Sequence, residues 1–257
     1  MLKIIMAILL SISTSIASAD QKFIGYAYDL DTQELLYTEH HNYLTPTLHE
    51  VQYKEVDGEL FATKTIDYKH SYFAPDFTQH NLRNGEKIDI KRKARSENDT
   101  KHKDQVQYQV QYQVQYQESS KETLQKETIN YSPKLIIDAG FDHFITENWQ
   151  VLSSGKEMII NYLIPSLQDY YELTIKEETC KSKSQNESQH CFSISASSFF
   201  ISLFSNQLKL SYSKNSSTKN NSEDNNRENI KLMGFQGRSN ISDSKGNYQD
   251  VNIIYQY

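Results

Sequence analysis

A chain of 257 residues with 33 acidic against 27 basic side chains carries a formal charge of −6, which argues against the basic face that a nucleic-acid partner requires. Only four prolines and eight glycines rule out a collagen-like or Pro-rich chain. Eighteen tyrosines, beside abundant Val, Ile and Thr, suit the pleated, half-buried surface of a β-sheet.

Met1-Leu2-Lys3, the apolar run Ile4 to Ile12 and the small residues Ala17-Ser18-Ala19 form the pattern of a cleaved export signal over residues 1–19. The apolar run is too short to span a bilayer as a helix, and no later segment is long enough. No cysteine near the cleavage point offers a lipid anchor. Residues 20–257 are expected to be one exported β-rich domain, periplasmic or secreted.

From Lys22 the chain reads as strands joined by tight turns. Val51 to Val56 and Glu59 to Tyr68 flank Asp57-Gly58, a hairpin signal because both turn positions need positive φ. Asn84-Gly85 repeats the signal before a strand at Lys87 to Lys91. Next, Gln105-Val106-Gln107-Tyr108 occurs three times without change through Tyr116. Val and Tyr alternate strictly with Gln, which is strand periodicity. Residues 105–117 are expected to form an elongated hairpin arm, and a slip of four residues leaves its faces unchanged.

One segment changes period. Phe141, Phe144, Ile145 and Trp149 fall at i, i+3, i+4 and i+8, one face of a helix over 139–149. On such a helix Asp138 lies one turn before Asp142, and His143 one turn before Glu147. Strands then resume and continue to Tyr257, interrupted by a flexible Asn/Ser/Lys-rich loop over 213–226. Ser198 to Phe204 reads as a short helix or a buried strand. Cys180 and Cys191 bracket ten polar residues, and in an exported chain the expectation is a structural disulfide closing a hairpin. The fold class that follows is α+β, mostly β: a large curved antiparallel sheet, half-barrel-like, of about eleven strands with one or two short helices.

Eight histidines show no zinc spacing. His40 and His41, adjacent on a strand, point to opposite faces, and His49, His70, His80 and His102 read as surface residues. No Gly-x-Ser-x-Gly elbow, phosphate loop or His-Glu-x-x-His is present. No catalytic residue, metal or cofactor is therefore expected, and the chain is read as a non-enzyme.

Gly25-Tyr26-Ala27-Tyr28, Asp57 to Lys64, Ala74-Pro75-Asp76-Phe77, Asp138 to Asp142 and Gly237 to Ile241 resemble blocks of an uncharacterised family of exported proteobacterial proteins. The resemblance runs over nearly the whole mature chain, apart from the repeat and the 213–226 loop, and implies no catalytic residue. A weaker, architectural similarity is to the half-barrel lipoprotein carriers of the Gram-negative envelope, which implies an acyl chain held between sheet and helices. The expected function is to bind an apolar or lipid-like ligand, or an envelope protein partner, with Phe141, Phe144, Ile145 and Trp149 as one wall. The alternatives are an outer-membrane β-barrel, suggested by the alternating, aromatic-ended C-terminal strand, and a hydrolase built on the Asp138–Glu147 cluster.

Overall fold

A computed structural model of the chain describes residues 22–93, 110–180, 188–196, 208–214 and 230–257. The expected export signal at 1–19 and the Ser198 to Phe204 segment lie outside them. Six strands come first: β1 (Lys22–Asp29), β2 (Leu35–Thr45), β3 (Leu48–Lys54), β4 (Leu60–Asp67), β5 (Asp76–Asn81) and β6 (Lys87–Lys93). Then follow β7 (Gln111–Gln117), β8 (Gln125–Asn130) and the two-residue β9 (Leu135–Ile136), before helices α1 (Gly140–Glu147) and α2 (Trp149–Leu152). The rest is β10 (Met158–Ile164), β11 (Asp169–Glu178), β12 (Ser188–Ala196), β13 (Leu208–Lys214), β14 (Ile230–Ser242) and β15 (Tyr248–Gln256).

The described residues thus hold fifteen strands rather than about eleven, all in one sheet of order β8-β7-β6-β5-β4-β3-β2-β1-β15-β14-β13-β12-β11-β10-β9. Two strands escape the sequence pattern for physical reasons. β8, Gln-Lys-Glu-Thr-Ile-Asn, is an exposed edge with a single buried side chain, so no alternation marks it, and β9 is too short to show a period. Sequential neighbours pair antiparallel, the exception being β9, which runs parallel to β10. The first and last strands meet mid-sheet, Ala27 opposite Ile253.

Edges and interior fix the shape. β8 and β9, the two ends of the sheet, are joined by residues 131–134 alone, a stretch reaching at most about 18 Å. A flat fifteen-stranded sheet would separate them by roughly 67 Å. The sheet must therefore curl until its edges approach. Direct bonds across the curl agree: Gln79 Nε2 on β5 donates to Asn240 O on β14 at 2.9 Å, and Asn81 Nδ2 donates to Ser242 O at 2.8 Å. Those strands are six places apart in the sheet, roughly 29 Å if it were flat.

Alternation along each strand sends apolar side chains into the curl, where three clusters form. Tyr37, Val51, Tyr53, Phe61 and Val251 fill the part under β1–β4 and β15. Phe77, Ile90, Tyr112 and Val114 fill the part under β4–β8. Ile160, Leu173, Phe192 and Tyr212 pack with the helices. The described part of the repeat is not an arm: β7 is paired to β6 and β8 along its length, with Tyr112, Val114 and Tyr116 buried and Gln on the other face. Its outer copy, 105–109, lies outside the described residues. Ser213 and Lys214, assigned from sequence to a flexible loop, belong to β13, and 215–226 lie outside the described residues.

Candidate functional site

The helices cover one end of the curl. Gly140 opens α1 because the helix starts against the Phe73 carbonyl, where no Cβ fits; Ile137 N also donates to Phe73 O, at 3.0 Å. The helix then breaks at Asn148, whose Nδ2 caps the Phe144 carbonyl at 2.9 Å, so Trp149 belongs to α2. Phe144, Ile145 and Trp149 are buried and Phe141 half-buried, within one cluster holding Leu152, Ile160 and Phe192. The Trp149 ring meets Phe192 edge-on at 5.7 Å and Tyr212 at 5.9 Å. These four residues share one face, as their spacing requires, and they pack against side chains of the sheet.

Of the group 138–147, Asp138 and Asp142 go to different partners, while His143 and Glu147 line one recess. Asp138 lies before the helix with φ of 42°, and its carboxylate accepts from Lys64 Nζ at 3.0 and 3.1 Å. Asp142 turns inward, towards the Tyr212 hydroxyl. Burial pushes its carboxyl up to about 6, with Tyr212 opposing the rise. Its charge reaches Tyr43, Tyr68 and Tyr257 as well, whose hydroxyls burial already raises. His143 points the other way and packs its ring on Tyr68 at 4.6 Å and on Tyr72 at 4.8 Å. There Tyr72, Phe73, His143 and Glu147 line a recess of about 190 Å³.

Deeper under the same end lies a network that the sequence reading missed. Glu39, His41 and Tyr43 alternate on β2, and His49 faces them from β3, opposite Tyr43. His41 Nε2 is 3.2 Å from Glu39 Oε2, and His41 Nδ1 is 3.1 Å from His49 Nε2. Tyr255 OH also donates to Glu39 Oε2, at 3.3 Å. A carboxylate only accepts, so His41 donates through Nε2; its Nδ1 then accepts from His49, and His49 Nδ1 is left as a buried acceptor with no protein partner. Burial first, then the nearby His41, Lys64 and His143, lower His49 to about 2 and keep it neutral. Phe23 stacks on His41 at 4.1 Å, and Tyr43 stacks on His49 at 4.1 Å. His49 is only 3% exposed, which corrects its assignment to the surface. The period-two run Glu39, His41, Tyr43 was the available signal.

At the other end of the strands a second buried carboxylate joins two turns. Glu86 accepts from Tyr248 OH, from Ser242 Oγ at 3.1 Å and from Tyr116 OH at 3.4 Å. Burial raises its carboxyl and these donors oppose the rise. Every partner is a protein group, so the cluster ties the β5–β6 and β14–β15 turns together.

Cys180 and Cys191 form the expected disulfide. It lies beside a shallow opening of about 400 Å³ lined by Glu177, Glu178, Thr179, Cys180, Gln189 and His190. Glu177 bonds His190 Nδ1 at 2.8 Å, and His190 meets the edge of Trp149 at 4.8 Å. The disulfide therefore anchors the strand ends that close over α2. Among the described residues no three His, Cys, Asp or Glu side chains are placed to hold a metal, and no helix is long and apolar enough to cross a membrane. No protein-family model, curated protein or solved structure matches the chain.

Proposed function

We propose that this is an exported, non-enzymatic binding protein whose half-barrel-like sheet takes an apolar or lipid-like ligand, or an apolar segment of an envelope partner, at the end covered by α1. One observation carries the reading: the recess of Tyr72, Phe73, His143 and Glu147 is the place where aromatic surface, an imidazole and a carboxylate meet beside the contact of α1 with the 69–75 loop. A few polar groups set in apolar lining is the usual make-up of a small-molecule site. Its volume matches one aromatic ring or a short acyl segment, on the scale where cavities of about 150 Å³ take a benzene. The buried faces of α1, with Phe141, Phe144 and Ile145, and of α2, with Trp149, supply the wall that a longer chain would meet on displacing the helices.

Two features weigh on the alternatives. The outward residues of β3, β6 and β7 include Gln52, Lys87, Asp89, Lys91, Gln113 and Gln115, a surface for water rather than for lipid, which favours the soluble reading over an outer-membrane barrel. Asp138 and Asp142 engage different partners, so of the four residues of the hydrolase reading His143 and Glu147 alone line the recess. An export signal at 1–19 and a disulfide agree with an oxidising compartment, and the resemblance to envelope carriers points the same way.

The test is titration of the purified mature protein with a fluorescent fatty acid. Saturable one-to-one binding, weakened at least tenfold by Phe73→Asp with the fold intact by circular dichroism, is the expected result. Absence of saturable binding to fatty acid and to detergent monomers overturns the reading.

A further inference from the structure

The perfect repeat carries a property that binding does not explain. β7 is Gln111–Gln117, Gln-Tyr-Gln-Val-Gln-Tyr-Gln, and residues 107–113 spell the same seven side chains. We propose that β7 is a sliding strand with two isosteric registers, in which 107–113 can replace 111–117 between β6 and β8.

In the observed register Asp89 faces Gln115, Ile90 faces Val114 and Ile88 faces Tyr116. A slip of four residues puts Gln111, Val110 and Tyr112 at those places. Every buried side chain is replaced by its identical twin: Tyr108 for Tyr112, Val110 for Val114 and Tyr112 for Tyr116. The outward glutamines are likewise exchanged for glutamines. Packing and ladder pairing therefore do not discriminate between the registers. A strand elsewhere in this sheet has no such freedom, because a slip there brings different side chains into the core.

The repeat length allows two isosteric registers and no third. A further slip in the same direction places Asp104 in the buried position of Tyr112, and a slip the other way places Glu118 in that of Val114; each buries an unpaired carboxylate. The choice between the two permitted registers falls to the flanking loops. Sliding moves four residues from the β6–β7 connection, 94–110, to the β7–β8 connection, 118–124. The closure entropy of a loop varies only with the logarithm of its length, so the exchange is nearly neutral. What holds the observed register is a handful of contacts: Ser120 N to Asn84 O at 2.9 Å, Ser120 against Gly85, and Gln117 Nε2 to Glu122 O at 2.9 Å. The Val110 carbonyl also accepts from Tyr131 N at 2.8 Å, a bond the Val106 carbonyl makes after the slip. Sliding thus frees the 118–124 turn from the Asn84-Gly85 turn without disturbing the core, and couples the two turns through β7.

Paired cysteines read the register directly. Opposed residues of an antiparallel pair lie within disulfide reach, whereas residues four places out of register do not. Asp89→Cys with Gln115→Cys traps the observed register, and Asp89→Cys with Gln111→Cys traps the slipped one. Each is oxidised in the full chain and mapped by mass spectrometry beside the native Cys180–Cys191 link. Both cross-links are expected, the first as the major species. Tyr108→Lys should abolish the second and spare the first. Tyr116→Lys should reverse the ratio in a protein that stays folded, since Tyr112 takes over the buried site. A 89–115 cross-link with no trace of 89–111, or unfolding by Tyr116→Lys, overturns the proposal.

Discussion

Lys64 on β4 holds both carboxylate oxygens of Asp138, at 3.0 and 3.1 Å, just before α1. With side-chain exposures of 4% and 13%, this buried pair joins the sheet to the element that covers its end. It is the clearest single tie between the fold and the candidate site.

Removing one partner strands a buried charge. Lys64→Met is expected to cost about 3–5 kcal/mol, read by urea unfolding with Trp149, the only tryptophan, as the probe. Asp138→Asn keeps a residue that tolerates positive φ, so the double variant should recover a large part of the loss. Additive costs in the double-mutant cycle would show that the pair is not coupled.

Gly140 faces the Phe73 carbonyl so closely that a methyl group cannot fit. Gly140→Ala should destabilise by about 1–3 kcal/mol through overpacking and loosen α1 from the 69–75 loop. Hydrogen exchange should show faster exchange at Ile137 and along α1. An unchanged exchange pattern would mean that the helix does not dock on Phe73.

Asp142 titrates near 6 when folded, against an ordinary value of 3.8, because burial disfavours its charge. A raised acid pKa means that the folded state binds the proton more tightly. Its contribution is fully present below about pH 4 and is lost as pH rises through about 6. Asp142→Asn should remove that slope and stabilise the protein at pH 7.5 by about 1–3 kcal/mol. A variant with the parent's pH dependence between 4 and 7 would place the titration elsewhere.

Cys180 and Cys191 close a loop with a sequence separation of 11. Replacing both by Ala should cost about 2–3 kcal/mol and loosen His190 from Trp149, which shifts the Trp149 emission in the folded state. Loss of stability with no change in emission would confine the effect of the disulfide to the unfolded chain.

Local signals in the sequence were reliable where backbone chemistry is explicit. Gly58 and Gly85 take the positive φ that their turns demand, the Phe141–Trp149 face is helical, and the repeat alternates with tyrosine inward. What the sequence does not display is pairing between distant segments. Nothing local says that Ala27 will lie opposite Ile253, nor that β8 and β9 are the edges of one sheet. Charge along the strands concealed the polar interior for a related reason. Glu39 and His49 look like solvent-facing residues until strand pairing brings His41 beside His49 and, across β1, Tyr255 beside Glu39, which gives the buried polar atoms partners. The Asp138–Glu147 group holds only in part: Asp138 precedes the helix and pairs with Lys64, while His143 and Glu147 keep their one-turn spacing on α1 and line one recess.

The binding reading turns on whether the α1 end accepts a ligand, and native mass spectrometry of protein recovered from the exported fraction asks this most directly. The expected result is a one-to-one adduct of lipid mass that denaturation releases and that Phe73→Asp removes. A bare protein mass under conditions that preserve noncovalent adducts, together with indifference to added fatty acid, would contradict it.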